Sequence, residues 1–457
     1  MEQMNQRQPN PRRRKKTKME IFKEAYLPTI ILGVAVVLIL VFIIGSLSRL
    51  NVQPEQNQQL TTEPTEDPVL VQQKLEVQQL LQQAEKLALD YEFQQAVDVL
   101  DSFTGDKSAF PELAYKRGEY AQQASQMVTW SDPSQIVNLS FHGLIADPAK
   151  AFVNQSYGNS YNKNFVTIGE FSQILQQLYD NGYVLVSLDD IFSCESDASG
   201  NTICQAKSLQ LPLGRKPLVL TQTNLNYYTY MDGAGFASRL AVDENGKLTC
   251  QMVDADGNTV TGDFDLVPIL ESFIAEHPDF SYKGARAVLS VTGYDGIFGY
   301  RTNPSVKASK GETYYNEQVD SAKKLVEALR EKGYELACYT YNNMAYGKVS
   351  NAEIQSDLNA WVQEVTPILG LTDILVFAQN SDIGAYSGTK FNTLYNAGFR
   401  RYLDFGSGRS GAQIGSNFIS FQRLMVTGSA MAHSATAFTG MFNAPEILDS
   451  QRGSVPT

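Results

Sequence analysis

Apolar residues fall along this chain in four successive textures. Tyr26 to Leu47 carries no charged residue, and its centre is an unbroken run of Ile, Leu, Val and Phe around Gly33 and Ala35. About 20 helical residues at ~1.5 Å each span the ~30 Å hydrocarbon core of a bilayer. The pattern therefore predicts a transmembrane signal-anchor helix over 27–47. Pro28 falls in its first turn, where a missing N–H costs little. A cleaved leader competes with this reading, but the run is long for one and no small-x-small site follows it. Residues 48–68 are rich in Gln, Glu, Thr, Asn and Pro without apolar period and read as a linker. From Val69, apolar residues recur at helical spacing: Leu75, Leu80, Leu81, Ala84, Leu87 and Ala88. A second short helix carries Phe93, Ala96, Val97 and Leu100, and a third runs from about Pro111 to Met127.

From about residue 136 strands and helices alternate. Ile136–His142 reads as a strand, and Thr167-x-x-Glu170 as a capping box. The helix it opens carries Phe171, Ile174, Leu175 and Leu178 on one face. Gly182 ends that helix and a strand begins at Tyr183. The same helix–Gly–strand phrase returns at Gly333 with Tyr334–Thr340, and at Gly398 with Phe399–Phe405. Pro217–Thr221, Ala287–Val291 and Ile374–Phe377 are further apolar strands. About seven strands alternating with helices predict an α/β fold with a parallel sheet, and the length of the run favours a distorted barrel over an open sheet. Within 237–263, Asn245-Gly246 and Asp256-Gly257 each lie between short strand-like runs. They predict an inserted three-stranded meander with type I′ turns.

Charge changes the picture by being uneven. The net charge is -12, which argues against broad nucleic-acid binding. Yet residues 1–26 hold eight basic and three acidic residues, a net of +5 that leaves −17 on the remainder. The positive-inside rule then places the basic tail in the cytoplasm and everything after the span outside a plasma membrane. A nuclear-localisation or RNA-binding reading of Arg12–Lys18 gives way to a topology signal beside such a span. An external location permits disulfides. Of the four cysteines, Cys194 and Cys204 flank a polar loop and are the expected pair, while Cys250 and Cys338 stay unassigned. No CxxC and no Cys/His zinc spacing occurs.

Two resemblances refine the reading. Ala84 to Leu100 resembles the core of a tetratricopeptide hairpin, with Ala84, Tyr91, Ala96 and Leu100 where that repeat packs its helices. At most one and a half copies fit in 69–128, so this is either a helical spacer or a protein-binding groove. Within 136–457, several phrases together resemble the polysaccharide deacetylase family, also called the NodB-homology domain or carbohydrate esterase family four. They are Asn138-Leu-Ser-Phe-His-Gly-Leu, Val166-Thr-Ile-Gly-Glu-Phe with Asn181-Gly-Tyr-Val-Leu-Val-Ser-Leu-Asp-Asp, Lys216-Pro-Leu-Val-Leu-Thr, Glu331-Lys-Gly-Tyr-Glu-Leu-Ala and Asn396-Ala-Gly-Phe-Arg-Arg-Tyr. The resemblance implies a distorted (β/α) barrel. It also implies a metal-dependent deacetylase of glycans, whose divalent ion is held by an Asp and two His while a neighbouring Asp serves as general base.

This chain departs from that pattern at every one of those positions. Thr223 stands at the base position, and Asn224, Tyr339 and Asn343 at the ligand positions. All four are uncharged at neutral pH. The expectation is a pseudoenzyme without zinc or another cofactor, binding cell-wall or surface glycan or a protein partner. Two alternatives stand beside it: an active metal-dependent N- or O-deacetylase with an atypical site, and a scaffold that recruits partners through 69–128. Of the three histidines, His142 is a candidate for the groove, His433 for a general acid, and His277 reads as structural. Tyr227, Tyr228, Thr340, Tyr341 and Asn342, with Asn226 and Tyr230, are the candidate sugar-binding residues. Asp232, Asp295 and Asp382 are possible carboxylates, Asp295 reading as a turn residue.

Overall fold

The structure, a computed structural model, describes residues 67–457 apart from 255 and 407. The basic tail, the apolar run Tyr26–Leu47 and nearly all of the linker lie outside the described residues. Among those described, no helix is long and apolar enough to cross a membrane.

The described chain begins with α1 (Pro68–Leu89), α2 (Phe93–Asp101) and α3 (Pro111–Ser125). Pro111 occupies the first turn of α3, where no N–H is needed. Val77 and Ala84 of α1 pack with Phe93, Ala96, Val97 and Leu100 of α2 and with Leu113 and Tyr120 of α3. Leu75, placed by its spacing on the apolar face, is exposed. Tyr91, between α1 and α2, stacks on Tyr282 at 6.0 Å between centroids. Its hydroxyl donates to the Asp279 carbonyl at 2.5 Å, and Glu92 pairs with Lys283.

The rest is built around seven parallel strands: β1 (Val137–Phe141), β2 (Lys216–Gln222), β3 (Val288–Val291), β4 (Glu335–Cys338), β5 (Ile374–Val376), β6 (Arg401–Phe405) and β7 (Ile419–Met425). Each pairs with the next, and β7 returns to β1, so the barrel is closed. Helices lie between successive strands: α4 (Ile168–Asp180), α5 (Leu266–Glu276), α6 (Glu312–Glu331), α7 (Asn351–Ala360) and α8 (Gly388–Asn396). The predicted capping box is formed, with Thr167 and Glu170 each satisfying the other's backbone N–H. Gly182 closes the turn after α4 at φ 80°, where an added Cβ would meet the Gly214 carbonyl at 2.7 Å.

Side-chain alternation sorts the strands into two cores. Leu139, Leu220, Leu289, Leu336 and Leu375 face outward against the helices. Val219, Val288, Ala337, Ile374, Leu403 and Ile419 face inward, in one cluster with α1–α3. The helical hairpin therefore packs beside the N-terminal end of the barrel, against Asp279, Tyr282 and Lys283, and its apolar residues run into the cluster of inward-facing strand residues.

The ring differs from the expected one in membership. The strand Tyr183–Leu185 pairs only with the first half of β2, from Lys216 to Leu218. β3 takes the second half, at Thr221 and Gln222, so Tyr183–Leu185 stands beside the ring. Ile419–Met425, whose polar Ser420, Gln422 and Arg423 mask it as a strand, closes the ring instead. The meander consists of Arg239–Val242, Leu248–Val253 and Thr259–Gly262, all antiparallel. Its turns are not type I′: Gly246 and Gly257 have positive φ, but Asn245 and Asp256 do not. The Asp243 and Asp254 carboxylates instead cap the two turns from within, each accepting two backbone N–H groups. Cys194 and Cys204 face each other in a strand pair and are joined by a disulfide. Cys250 and Cys338 are buried free thiols.

Candidate functional site

At the C-terminal mouth of the barrel the chain leaves several strands through backbone that L-residues avoid. Asn224 after β2, Thr340 after β4 and Gln379 after β5 have φ of 59°, 62° and 53°. For a β-branched threonine this is a true outlier. Such strain costs about 1–3 kcal/mol per residue and gathers at functional sites. The Thr340 hydroxyl answers it locally by accepting the Met344 N–H at 2.7 Å.

Beneath the mouth the lumen turns polar. Asn138 and Ser140 of β1, Thr221 of β2, Ser290 of β3 and Arg423 of β7 are all buried. The Thr221 hydroxyl donates to Asn138 Oδ1 at 2.8 Å. Arg423 is only 1% exposed. Its guanidinium donates to the Phe377 carbonyl at 3.0 Å, to Ser140 Oγ at 3.2 Å and to the Leu403 carbonyl at 3.4 Å. Among the described residues it makes no ion pair. Burial pushes its pKa down, and its charge in turn opposes protonation of His142 and favours ionisation of Tyr339.

Of the four residues expected at metal and base positions, Thr223 and Asn224 are engaged in internal bonds. Thr223 Oγ1 lies 3.1 Å from the Phe141 carbonyl and 2.9 Å from His142 Nδ1. Asn224 Oδ1 accepts the Tyr228 hydroxyl at 2.5 Å. Tyr339 is buried, which pushes its pKa up and keeps the phenol neutral. Asn343 Oδ1 is buried without a partner, and the residue sits at φ 52°. A divalent metal does not fit this set: the donors are neutral, two are already bonded, and a fixed guanidinium charge reaches into the same space. Among the described residues no group of three or more His, Cys, Asp or Glu is arranged to hold an ion.

Other predicted residues scatter. The Tyr341 hydroxyl donates to Glu364, and Asn342 bonds Asp357 through both its backbone and its side chain. The Asn226 amide bridges the Thr292 backbone and the Gly296 carbonyl. These three, with Thr340, hold turns, and of the four Asn226 alone also lines the cavity described next. His433 is exposed and its Nε2 lies 2.9 Å from the Val455 carbonyl, which ties it to the C-terminal segment. Asp295 keeps turn duties, pairing with Arg301 at 3.3 Å.

What the mouth does form is a cavity of about 220 Å³ beside the lumen. His142, Thr223, Asn224, Tyr227, Tyr228 and Asp265 are among its walls. Burial first, and the Arg423 charge second, push the His142 pKa down to about 4. Asp265, 1% exposed, caps α5. Its Oδ1 accepts from the Leu144 N–H at 3.0 Å, the Leu266 N–H at 2.7 Å and Gln222 Nε2 at 2.6 Å. Its Oδ2 has no partner. The nearby Tyr227 hydroxyl instead lies 3.9 Å from Cys250 Sγ. Burial pushes the Asp265 pKa up to about 6, against the lowering effect of the Leu144 and Leu266 N–H groups, the nearby Tyr227 hydroxyl and Gln222.

An aromatic shelf adjoins the cavity. Tyr228 stacks between Tyr230 and Tyr294, at 5.6 and 5.3 Å between centroids. Tyr157 lies 5.7 Å from Tyr230. Tyr230, Tyr157 and Tyr294 are 57%, 46% and 39% exposed. Sequence reasoning missed Asp265, Arg423, Tyr157 and Tyr294. Asp265 carried a signal, an Asp directly ahead of an apolar helix, but one that reads only as a cap.

No family profile matches the chain, and no curated protein matches it. Among solved structures it is similar to the Streptococcus pyogenes deacetylase PplD in complex with acetate. Identity is 13% and the TM-score 0.34, over 65% of this chain and 94% of that one.

Proposed function

We propose that this protein is a catalytically inactive, deacetylase-like barrel that binds glycan at its C-terminal mouth, held outside a membrane by the apolar segment Tyr26–Leu47. One observation carries the proposal. Each position where a metal-dependent hydrolase needs an anionic or imidazole group holds a neutral side chain, and Thr223 and Asn224 are already bonded within the protein. The shelf of Tyr157, Tyr230 and Tyr294 supports the binding half, because exposed rings offer flat apolar faces to pyranoses. The apolar residues of α1–α3 are buried in a cluster continuous with the barrel, which favours the glycan reading over a scaffold that recruits partners through 69–128.

A second reading, a hydrolase with an atypical site, draws on one feature: His142 and Asp265 share a cavity. The test is direct. The full-length chain, purified in detergent, is expected to carry no stoichiometric divalent metal and to release no acetate from N- or O-acetylated oligosaccharides, while retaining affinity for a glycan column. Tyr230→Ala should weaken that retention. Turnover at the level of a working hydrolase would overturn the proposal.

A further inference from the structure

We propose that the cavity takes an amino sugar with an unacetylated amine, the ammonium seated on Asp265 Oδ2. This rests on the glycan-binding reading above and narrows it to one ligand class.

The argument begins with a charge that lacks an answer. Asp265 is buried, yet no Lys or Arg bonds to it among the described residues. A buried carboxylate is expensive unless paired. Its Oδ1 is saturated by three donors from the protein, whereas Oδ2 accepts no hydrogen bond and has only the neutral Tyr227 hydroxyl nearby. The free oxygen looks toward Gly143, where an added Cβ would lie 3.7 Å from it. Gly143 itself lines the cavity. The glycine thus leaves open the space into which Oδ2 points.

The walls narrow the class further. Phe165, Tyr227, Tyr228 and Phe236 line the same cavity as the carboxylate. Aromatic rings around a carboxylate favour a cation with an apolar body and oppose an anion. At about 220 Å³ the space is smaller than the ~300–1,000 Å³ of drug-sized sites, so it admits one ring and not a chain. The aromatic shelf outside then receives the neighbouring sugars. An N-acetyl group adds bulk and replaces the ammonium by a neutral N–H, which makes a hydrogen bond roughly half as strong.

Titration calorimetry on the full-length chain in detergent tests this with a glucosamine disaccharide, its N-acetylated counterpart and cellobiose. The expected result is at least tenfold tighter binding of the free amine than of either other sugar. Asp265→Asn should cut glucosamine binding tenfold or more and leave the other two unchanged. Asparagine keeps the Oδ1 acceptor and the helix cap, so the variant removes the charge and not the fold. Equal binding of all three sugars would overturn the amine assignment while leaving glycan binding intact. Binding of none would remove both. The sugar comparison on the unaltered chain decides the matter even where the variant fails to fold.

Discussion

The two ends of the barrel each bury a carboxyl group, and they treat it differently. At the N-terminal end Glu335 is pushed up to about 7, burial outweighing the charge of Arg401. Both of its oxygens are used: Oε2 accepts the Leu188 N–H at 2.7 Å and Oε1 lies 3.2 Å from Arg401. Arg401 also holds Asp373 at 2.7 Å and Asp189 at 2.6 Å. At the mouth, Asp265 is pushed up to about 6 by the same desolvation but has no cation and one idle oxygen. A raised pKa is therefore common to both ends and distinguishes neither. The difference lies in whether every polar atom is answered from within the chain. In parallel barrels stability is invested at the N-terminal face and ligands act at the C-terminal one; here an ion-pair network holds the first and the strained loops surround the second.

The largest expected effect is at the N-terminal end. Arg401→Leu strands Glu335 as a buried group without its cation, and breaking a buried pair in this way costs about 3–5 kcal/mol. The contact to Asp189 adds little to that, because Asp189 is well exposed. Urea denaturation of the variant measures the loss. A cost below about 1 kcal/mol would reduce the network to the worth of a surface pair and erase the contrast between the ends.

Next come the two titratable groups of the mouth, which pull in opposite directions with pH. The Asp265 pKa is higher folded, about 6, than its ordinary 3.8. The folded state then binds the proton more tightly, so its contribution is whole below 3.8 and is lost as pH rises through 6. A shift of that size corresponds to about 3 kcal/mol. Asp265→Asn should therefore be stabilising relative to the parent at pH 7 and neutral near pH 3.5. His142 is the reverse: its pKa falls from 6.5 to about 4, so its contribution is present above 6.5 and is lost as pH falls through 4. His142→Gln should be the more stable chain near pH 4 and show no gain at pH 7.5. The histidine effect should be the smaller, because part of His142 remains open to the mouth. Thermal melts of both variants across pH 3.5–7.5 give the two difference curves. Parallel curves would mean that the two groups do not sit in one desolvated site.

Legibility in the sequence follows the same division. The helical faces of α4 and α6 and the Gly182, Gly333 and Gly398 stops were readable, because burial on one face imposes a period and a left-handed turn demands glycine. β7 was not readable, because Arg423 interrupts its inward run of Ile419 and Phe421 while its outward Ser420 and Gln422 are polar, which leaves no apolar alternation. Thr223, Asn224, Tyr339 and Asn343 could be picked out only through the resemblance, since nothing in their own spacing marks a site. Asp265 could not be found at all: its cap role is local, and its nearness to His142 exists only once the barrel has closed. Thr340 and Asn342 read as ligand-facing because Thr and Asn suit sugars. In the folded chain the turn after β4 consumes both.

The smallest effect concerns how poorly the mouth suits a metal. Converting Thr223→Asp, Asn224→Asp, Tyr339→His and Asn343→His restores the carboxylates and imidazoles of a metal-dependent hydrolase. It leaves Arg423 in the lumen, and the influence of that charge already reaches His142 and Tyr339. A guanidinium cannot be titrated away at any working pH, so it opposes a divalent ion permanently. Zinc uptake by the quadruple variant should accordingly stay weak. Adding Arg423→Met removes the fixed charge while filling much of its volume. The gain expected is on the order of 10–100-fold in zinc affinity, the range typical for a group just outside the ligand shell. Titration against a competing chelator reads both variants. If the fifth substitution brings no gain, the neutral donors alone exclude the metal and the lumenal charge serves only to hold Ser140, Phe377 and Leu403 in place.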